Sequence, residues 1–293
     1  MAAMFLPHVT YTTTLRRQAS SRQVLCLAAL AAPLLAAKVS ADGNVRAFAE
    51  GSDTVVVVGD SKANGVFVGR TGVGGEFLIE GTDQGGAPTT VNGLPAVVVI
   101  SGGTEIIIDL KDGNDRVRVD GQLPGSVTIS GGSGNDVLAI GDPVIPGDLD
   151  IDGGSGDDLV DIQDSEVDGD LSIQTGAGDD TVSFFFAFLN GDTSIDTGQG
   201  DDVIQSDESP FGGSLSIDTG PGEDEVSIEN ASIEDDLEVR TESGRDSLTI
   251  TGTSVGGRVR CDGGPGRDTY TEGDENHFGG HKAHIKHFEK KRR

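Results

Sequence analysis

The chain contains no tryptophan, two tyrosines and two cysteines in 293 residues. Without tryptophan, and with tyrosine only at Tyr11 and Tyr270, it lacks the aromatic platforms on which sugar rings are usually held. The cysteines, Cys26 and Cys261, allow at most one intramolecular disulfide, so a disulfide framework is excluded as the source of stability. Basic residues are also scarce. No Lys or Arg occurs from Asp120 to Glu238, against 30 Asp or Glu. Such a surface repels phosphates and anionic lipid heads and attracts cations. The only long apolar run, at 24–37, is too short to cross a membrane as a helix.

That run follows Arg16, Arg17 and Arg22 and precedes the small residues of "VSA" at 39–41. Residues 1–41 therefore read as an N-terminal export signal, and the protein is expected to be secreted or at the cell surface. Its removal would leave 17 basic and 49 acidic residues and a single cysteine.

Glycine is abundant, 45 residues, and it recurs at a fixed interval. The aspartates Asp115, Asp136, Asp158, Asp180, Asp202, Asp224, Asp246 and Asp268 follow one another in one step of 21 and six of 22 residues. Two and four residues after each anchor come pairs such as Leu138/Ile140, Val160/Ile162 and Leu248/Ile250, the period-two signature of a half-buried strand. Nine residues after come Ile145, Val167, Leu189, Phe211, Ile233 and Val255. Thirteen and fifteen after come pairs such as Leu149/Ile151 and Leu171/Ile173. One repeat is thus three short strands joined by turns. It cannot bury its apolar residues alone, but stacked copies can, at a strand spacing of about 4.8 Å. The expected fold is all-β: a parallel β-helix, or β-solenoid, of about seven to eight coils. Cys261 falls on an inward position and reads as a core thiol.

Residues 42–110 carry five looser strand candidates, at 54–59, 65–69, 76–81, 96–102 and 104–110, expected to form an N-terminal β cap and irregular first coils. Residues 111–276 are the acidic repeat. Residues 277–293 hold four of the five histidines and six Lys or Arg; they are expected to supply a closing strand and a basic tail.

The anchor turns have a further pattern. "GGSGNDVLA" (131–139) and "GGSGDDLVD" (153–161) fit G-G-x-G-x-D-x-U-x at every position, and "GGPGRDTYT" (263–271) fits with Tyr270 as the large apolar U. "TGAGDDTVS", "TGQGDDVIQ" and "TGPGEDEVS" put Thr in the first place. Over 111–271 the chain resembles the RTX (haemolysin-type) calcium-binding repeat proteins, in a variant with one such turn per 22-residue coil rather than two. The resemblance implies several calcium ions along one edge, each held by carboxylate and carbonyl oxygens. Matched residue by residue, the ligands would be Asp136, Asp158, Asp180, Asp202 and Asp224, with Asp157, Asp179 and Asp201 beside them. The turn glycines would be Gly132, Gly134, Gly154, Gly156, Gly176, Gly178, Gly198, Gly200, Gly220 and Gly222. Electrostatics points the same way: like carboxylates about 5 Å apart repel by roughly 1 kcal/mol even in water. The competing reading is that the aspartates only cap turns.

No Ser-His-Asp spacing, HExxH or phosphate loop occurs. The expectation is a non-catalytic, calcium-binding extracellular solenoid with a structural or adhesive role and a cell-envelope or matrix partner. The alternative is a polysaccharide lyase or hydrolase on the same fold. "FFFAFL" (184–189) holds more aromatics than the inward positions need, and Phe185 or Phe186 is expected at the surface.

Overall fold

The computed structural model describes residues 43–71, 75–82, 89–101, 103–279 and 283–292. The expected export signal and His281 lie outside them. No helix occurs among the described residues, and strands assemble into three sheets of 12, 12 and 7 strands. The fold is a β-solenoid, as the repeat requires.

From Asp136 on, each coil contributes one strand to each sheet. In the coil that begins at Asp136 these are Val137–Gly141, Val144–Ile145 and Leu149–Ser155. Each pairs in parallel with its equivalent 22 residues on, Leu138 opposite Val160, Ile145 opposite Val167 and Ile151 opposite Ile173. The register follows from the alternation: a one-residue slip would turn every inward side chain to solvent. Equivalent apolar residues therefore stack into columns inside, with Leu138, Val160, Val182 and Val226 fully buried. Cys261 lies opposite Val239 and is buried, and burial pushes its thiol up to about 12.

One column is interrupted. Ser206 stands between Phe184 and Ile228 where other coils place Ile or Val. The space is filled from two sides, by Phe184 and Phe211, whose rings meet edge to face at 6.0 Å. The alternation does not reveal this exchange, because Phe211 comes from a different sheet.

At the N-terminal end the chain departs from simple stacking. The expected strands form at Thr54–Val58, Gly65–Arg70, Glu76–Gly81, Ala96–Ile100 and Glu105–Asp109. Two further strands, Asn44–Glu50 and Thr90–Val91, join them. Thr54–Val58 and Gly65–Arg70 pair in parallel with the coil that follows, but Asn44–Glu50, Glu76–Gly81 and Ala96–Ile100 add on antiparallel. Folding the chain back in this way covers the end of the core. At the other end, His284–Lys286 and Phe288–Arg292 pair in parallel with Val259–Asp262 and Asp268–Glu272. Lys286 and His287 both contact the Asp262 carboxylate, which these partners hold down near 2.

Candidate functional site

The anchor turn lies on the edge where the long strand ending near Ser155 leads back to the next coil. Gly132, Gly134, Gly154, Gly156, Gly176, Gly178, Gly198, Gly200 and Gly220 all have positive φ; Gly222 does not, and pairs with Gly244 instead. Glycine is needed here for space as well as for φ. A Cβ on Gly154 would stand 1.9 Å from the Gly132 carbonyl oxygen of the preceding coil.

The anchor aspartates are inside. Asp115, Asp136, Asp158, Asp180, Asp202, Asp224, Asp246 and Asp268 are each no more than 2% exposed. They share the face of the apolar residues two and four positions on, so the strand alternation simply begins one step earlier, with a carboxylate. Each uses Oδ1 as a cap for its neighbour. The Asp136 N–H donates to Asp158 Oδ1 at 2.8 Å, the Asp158 N–H to Asp180 Oδ1 at 2.7 Å, and so on to Asp268. At the N-terminal end Asp115 Oδ1 accepts the Asn64 N–H in the same way. To this extent the aspartates are the caps of the competing reading.

The other oxygen is not accounted for. Oδ2 of Asp115, Asp136, Asp158, Asp180, Asp202, Asp246 and Asp268 is buried without a hydrogen-bond partner. Asp224 is the exception, accepting from the Thr219 hydroxyl at 2.6 Å. Thr175, Thr197 and Thr241 occupy the same place beside Asp180, Asp202 and Asp246. Their hydroxyls donate to the carbonyls of Thr197, Thr219 and Gly263 instead. In the three coils with glycine there, at Gly131, Gly153 and Gly263, acceptors crowd together, and a Cβ on Gly263 would lie 2.9 Å from the His287 carbonyl and 3.1 Å from Asp268 Oδ2. A Cβ on Gly131 would lie 2.4 Å from Asp136 Oδ2 and 2.7 Å from the Gly153 carbonyl; on Gly153, 2.6 Å from Asp158 Oδ2 and 3.1 Å from the Thr175 carbonyl.

Burial penalises the charged form of these groups. It pushes Asp115 and Asp136 up to about 7 and Asp158 to about 8, with the neighbouring carboxylates adding to the effect. Asp180 and Asp224 rise only to about 6, burial being partly offset by the Asp158 N–H at Asp180 and by the Thr219 hydroxyl at Asp224, and Asp202 and Asp246 are also raised. The threonines thus form a column beside the carboxylates, and at Thr219 the hydroxyl bonds one directly.

Asp157, Asp179 and Asp201 form a second, exposed column. Their Oδ1 atoms accept the N–H of the following coil, Asp157 from Asp179 at 3.0 Å, Asp179 from Asp201 at 2.9 Å and Asp201 from Glu223 at 2.8 Å. A third column, which the sequence reading did not assign, does the same at the Gly-Asp corner: Asp148, Asp170 and Asp192 cap the N–H of Asp170, Asp192 and Ser214.

The donor set suits a hard cation in kind, being carboxylate and carbonyl oxygen throughout. No group of three or more His, Cys, Asp or Glu converges among the described residues. An ion here would rest on one or two carboxylates, with backbone carbonyls completing its shell. The fit is best at Asp136 and Asp158, where no threonine intervenes and a further anchor aspartate lies in the coil on either side. Elsewhere, a shallow groove over the last coils is lined by Ser232, Glu234, Ser254, Asn276, His277 and Phe278. No family model, no curated protein and no solved structure matches the chain.

Proposed function

We propose that the chain is a non-catalytic extracellular scaffold whose buried carboxylate column is neutralised by calcium. One observation carries this reading: a row of buried carboxylate oxygens without hydrogen-bond partners, interrupted only at Asp224 among the eight anchors. A buried ionised group without a partner is costly, and the cost is relieved by a cation or a proton. The resemblance of the turns to RTX repeats favours the cation. Asp136 and Asp158 would hold it with the carbonyls of Gly153 and Thr175, and calcium would supply charge neutralisation and cross-linking between coils. The leader-like composition of residues 1–41 supports export, and the acidic exterior suits a structural or adhesive role in a cell-surface or matrix setting. The lyase or hydrolase alternative is less favoured: the groove over the last coils has one carboxylate, Glu234, where two-carboxylate hydrolysis needs a pair.

The test is thermal melting of the purified protein in chelator, in millimolar calcium and in sodium chloride of equal ionic strength. The expected result is a rise in Tm with calcium beyond the sodium control, saturating with concentration. Identical melts in calcium and sodium would overturn the reading.

A further inference from the structure

The corner between the strands that follow the anchor and the short strands of the third sheet repeats one backbone feature. Asp142, Asp164, Phe186, Glu208, Asn230 and Gly252 each have φ between 49° and 62°. Asp, Asn and Gly enter this left-handed region readily; a bulky aromatic does not. Phe186 is also where the interior stops using aromatics. Phe184 is buried in the core, whereas Phe185 and Phe186 are half-buried on the outside with ring centroids 4.3 Å apart. Phe188 is 54% exposed, so this third ring, rather than Phe185 or Phe186, is the most open.

The rings sit in a frame of acid. Asp207 is paired in register with Phe185, and Glu166 with Phe188. Asp164 and Glu208 hold the positions equivalent to Phe186 in the coils on either side. Asp164, Glu166 and Glu208 are exposed. Among the described residues none of these four carboxylates takes part in an ion pair, and no Lys or Arg lies between Arg118 and Arg240. This corner thus presents aromatic faces and unneutralised carboxylates together, and among the described residues no cation of the chain pairs with either.

We propose that this corner docks an arginine-rich segment of a partner protein. A purely apolar partner would strip water from carboxylates and give nothing back, and an anionic one would be repelled. A guanidinium answers both features: it lies flat on an aromatic face, attracted by the ring quadrupole, and its planar fork pairs with carboxylates. Lysine, a compact and strongly hydrated charge, answers the carboxylates but stacks less well. The signature is therefore a selectivity for arginine over lysine at equal charge that depends on the rings, which the acidity of the solenoid as a whole does not provide.

The experiment measures binding of fluorescently labelled nona-arginine and nona-lysine to the full chain at 150 mM salt, a chosen condition at which long-range attraction is screened beyond about 8 Å. Wild type is expected to bind nona-arginine about tenfold more tightly, the sum of a few exposed cation–π contacts. The triple variant Phe185→Ser, Phe186→Asn, Phe188→Ser keeps every charge and is expected to bind both peptides alike. Phe186→Asn installs the residue used at Asn230, so this single variant should melt at or above wild type while losing part of the preference. Asp164→Asn with Glu208→Gln should weaken both peptides and leave the preference in place. Equal binding of the two peptides by wild type, or an undiminished preference in the triple variant, would overturn the proposal.

Discussion

Replacing Asp158 by Asn isolates one rung of the buried carboxylate column. The change keeps the shape of the side chain and the acceptor that takes the Asp136 N–H at 2.8 Å, and it removes the charge. Burial raises the Asp158 carboxyl to about 8, against about 3.9 in an unfolded chain. The folded group therefore holds its proton more tightly than the unfolded one. Its contribution to stability is complete below about pH 4 and is lost as pH rises through the folded value near 8. At about 1.4 kcal/mol per pH unit, the loss at pH 8 without a cation is roughly 5 kcal/mol. Asn escapes it, but its amide adds donors that cost about 1–3 kcal/mol if unmet. The Thr175 carbonyl and Asp158 Oδ2 both abut Gly153, which makes that carbonyl the candidate acceptor. The net expectation is that Asp158→Asn stabilises the chelated protein at pH 8 by about 2–4 kcal/mol, or roughly 5–10 °C in Tm at this chain length. At pH 5 the wild-type group is protonated in the folded chain, the loss shrinks to about 1.5 kcal/mol, and the amide cost cancels the gain. In calcium the order reverses, because only the carboxylate can bind the ion. Circular dichroism melts at both pH values, in chelator and in calcium, measure all four cells. A variant less stable than wild type at pH 8 in chelator would refute the argument, since the carboxylate would then be stabilising without a cation.

Other substitutions probe the frame. Ile162→Ala removes a fully buried rung of an apolar column and should cost about 2–5 kcal/mol in denaturant unfolding. A loss below 1 kcal/mol would contradict its inward placement. Gly154→Ala meets both a φ of +106° and the Gly132 carbonyl, whereas Gly51, at φ +67°, has no atom within 4 Å of an added Cβ. Gly51→Ala should cost about 1 kcal/mol and Gly154→Ala clearly more; equal effects would show that the close approach between coils is not as described. Cys261, with its thiol raised to about 12, should resist alkylation at pH 8 until the protein is unfolded, as read by peptide mapping. Labelling at the rate of an exposed thiol in native buffer would contradict its burial.

The coil, its length and its register were legible because a solenoid repeats its geometry in its spelling. Leu138, Val160 and Val182 are apolar for one reason, and 22-residue spacing exposes that reason. The N-terminal end was less legible because it repeats nothing. Asn44–Glu50 has an exposed apolar residue, Phe48, and its antiparallel pairing is set by the strand it meets. The column of anchor aspartates was legible as a column but not as an interior one. The signal was present: Asp136, Leu138 and Ile140 fall on one face by simple alternation, but a charged residue invites placement in the turn rather than in the core. What resolves the matter is the hydrogen bond from the neighbouring coil, which occupies one carboxylate oxygen and leaves the other. The threonines at 175, 197, 219 and 241 became meaningful only once those second oxygens were seen to face them.

The three polar columns also tie the coils together in opposite senses. In the buried column a side chain reaches back and caps the preceding coil, as Asp180 does for Asp158. In the two exposed columns it reaches forward and caps the following coil, as Asp157 does for Asp179 and Asp148 for Asp170. Every interior coil is held from both neighbours, and the carboxylates stack at the spacing of coils because each has an N–H to hold. Repulsion along the columns then has two remedies. The exposed columns are open to dissolved ions, which screen charges beyond about 8 Å at physiological ionic strength. The buried column is closed to that screening, and is relieved only by a proton or an ion bound at the carboxylates. Sodium chloride should accordingly raise Tm at pH 8 and then reach a plateau set by the outer columns. Calcium added on that plateau should raise it again, and lowering the pH to 5 in chelator should reproduce much of the second rise. A single salt-saturable rise, unaffected by either calcium or acid, would mean that the inner column carries no net charge to neutralise.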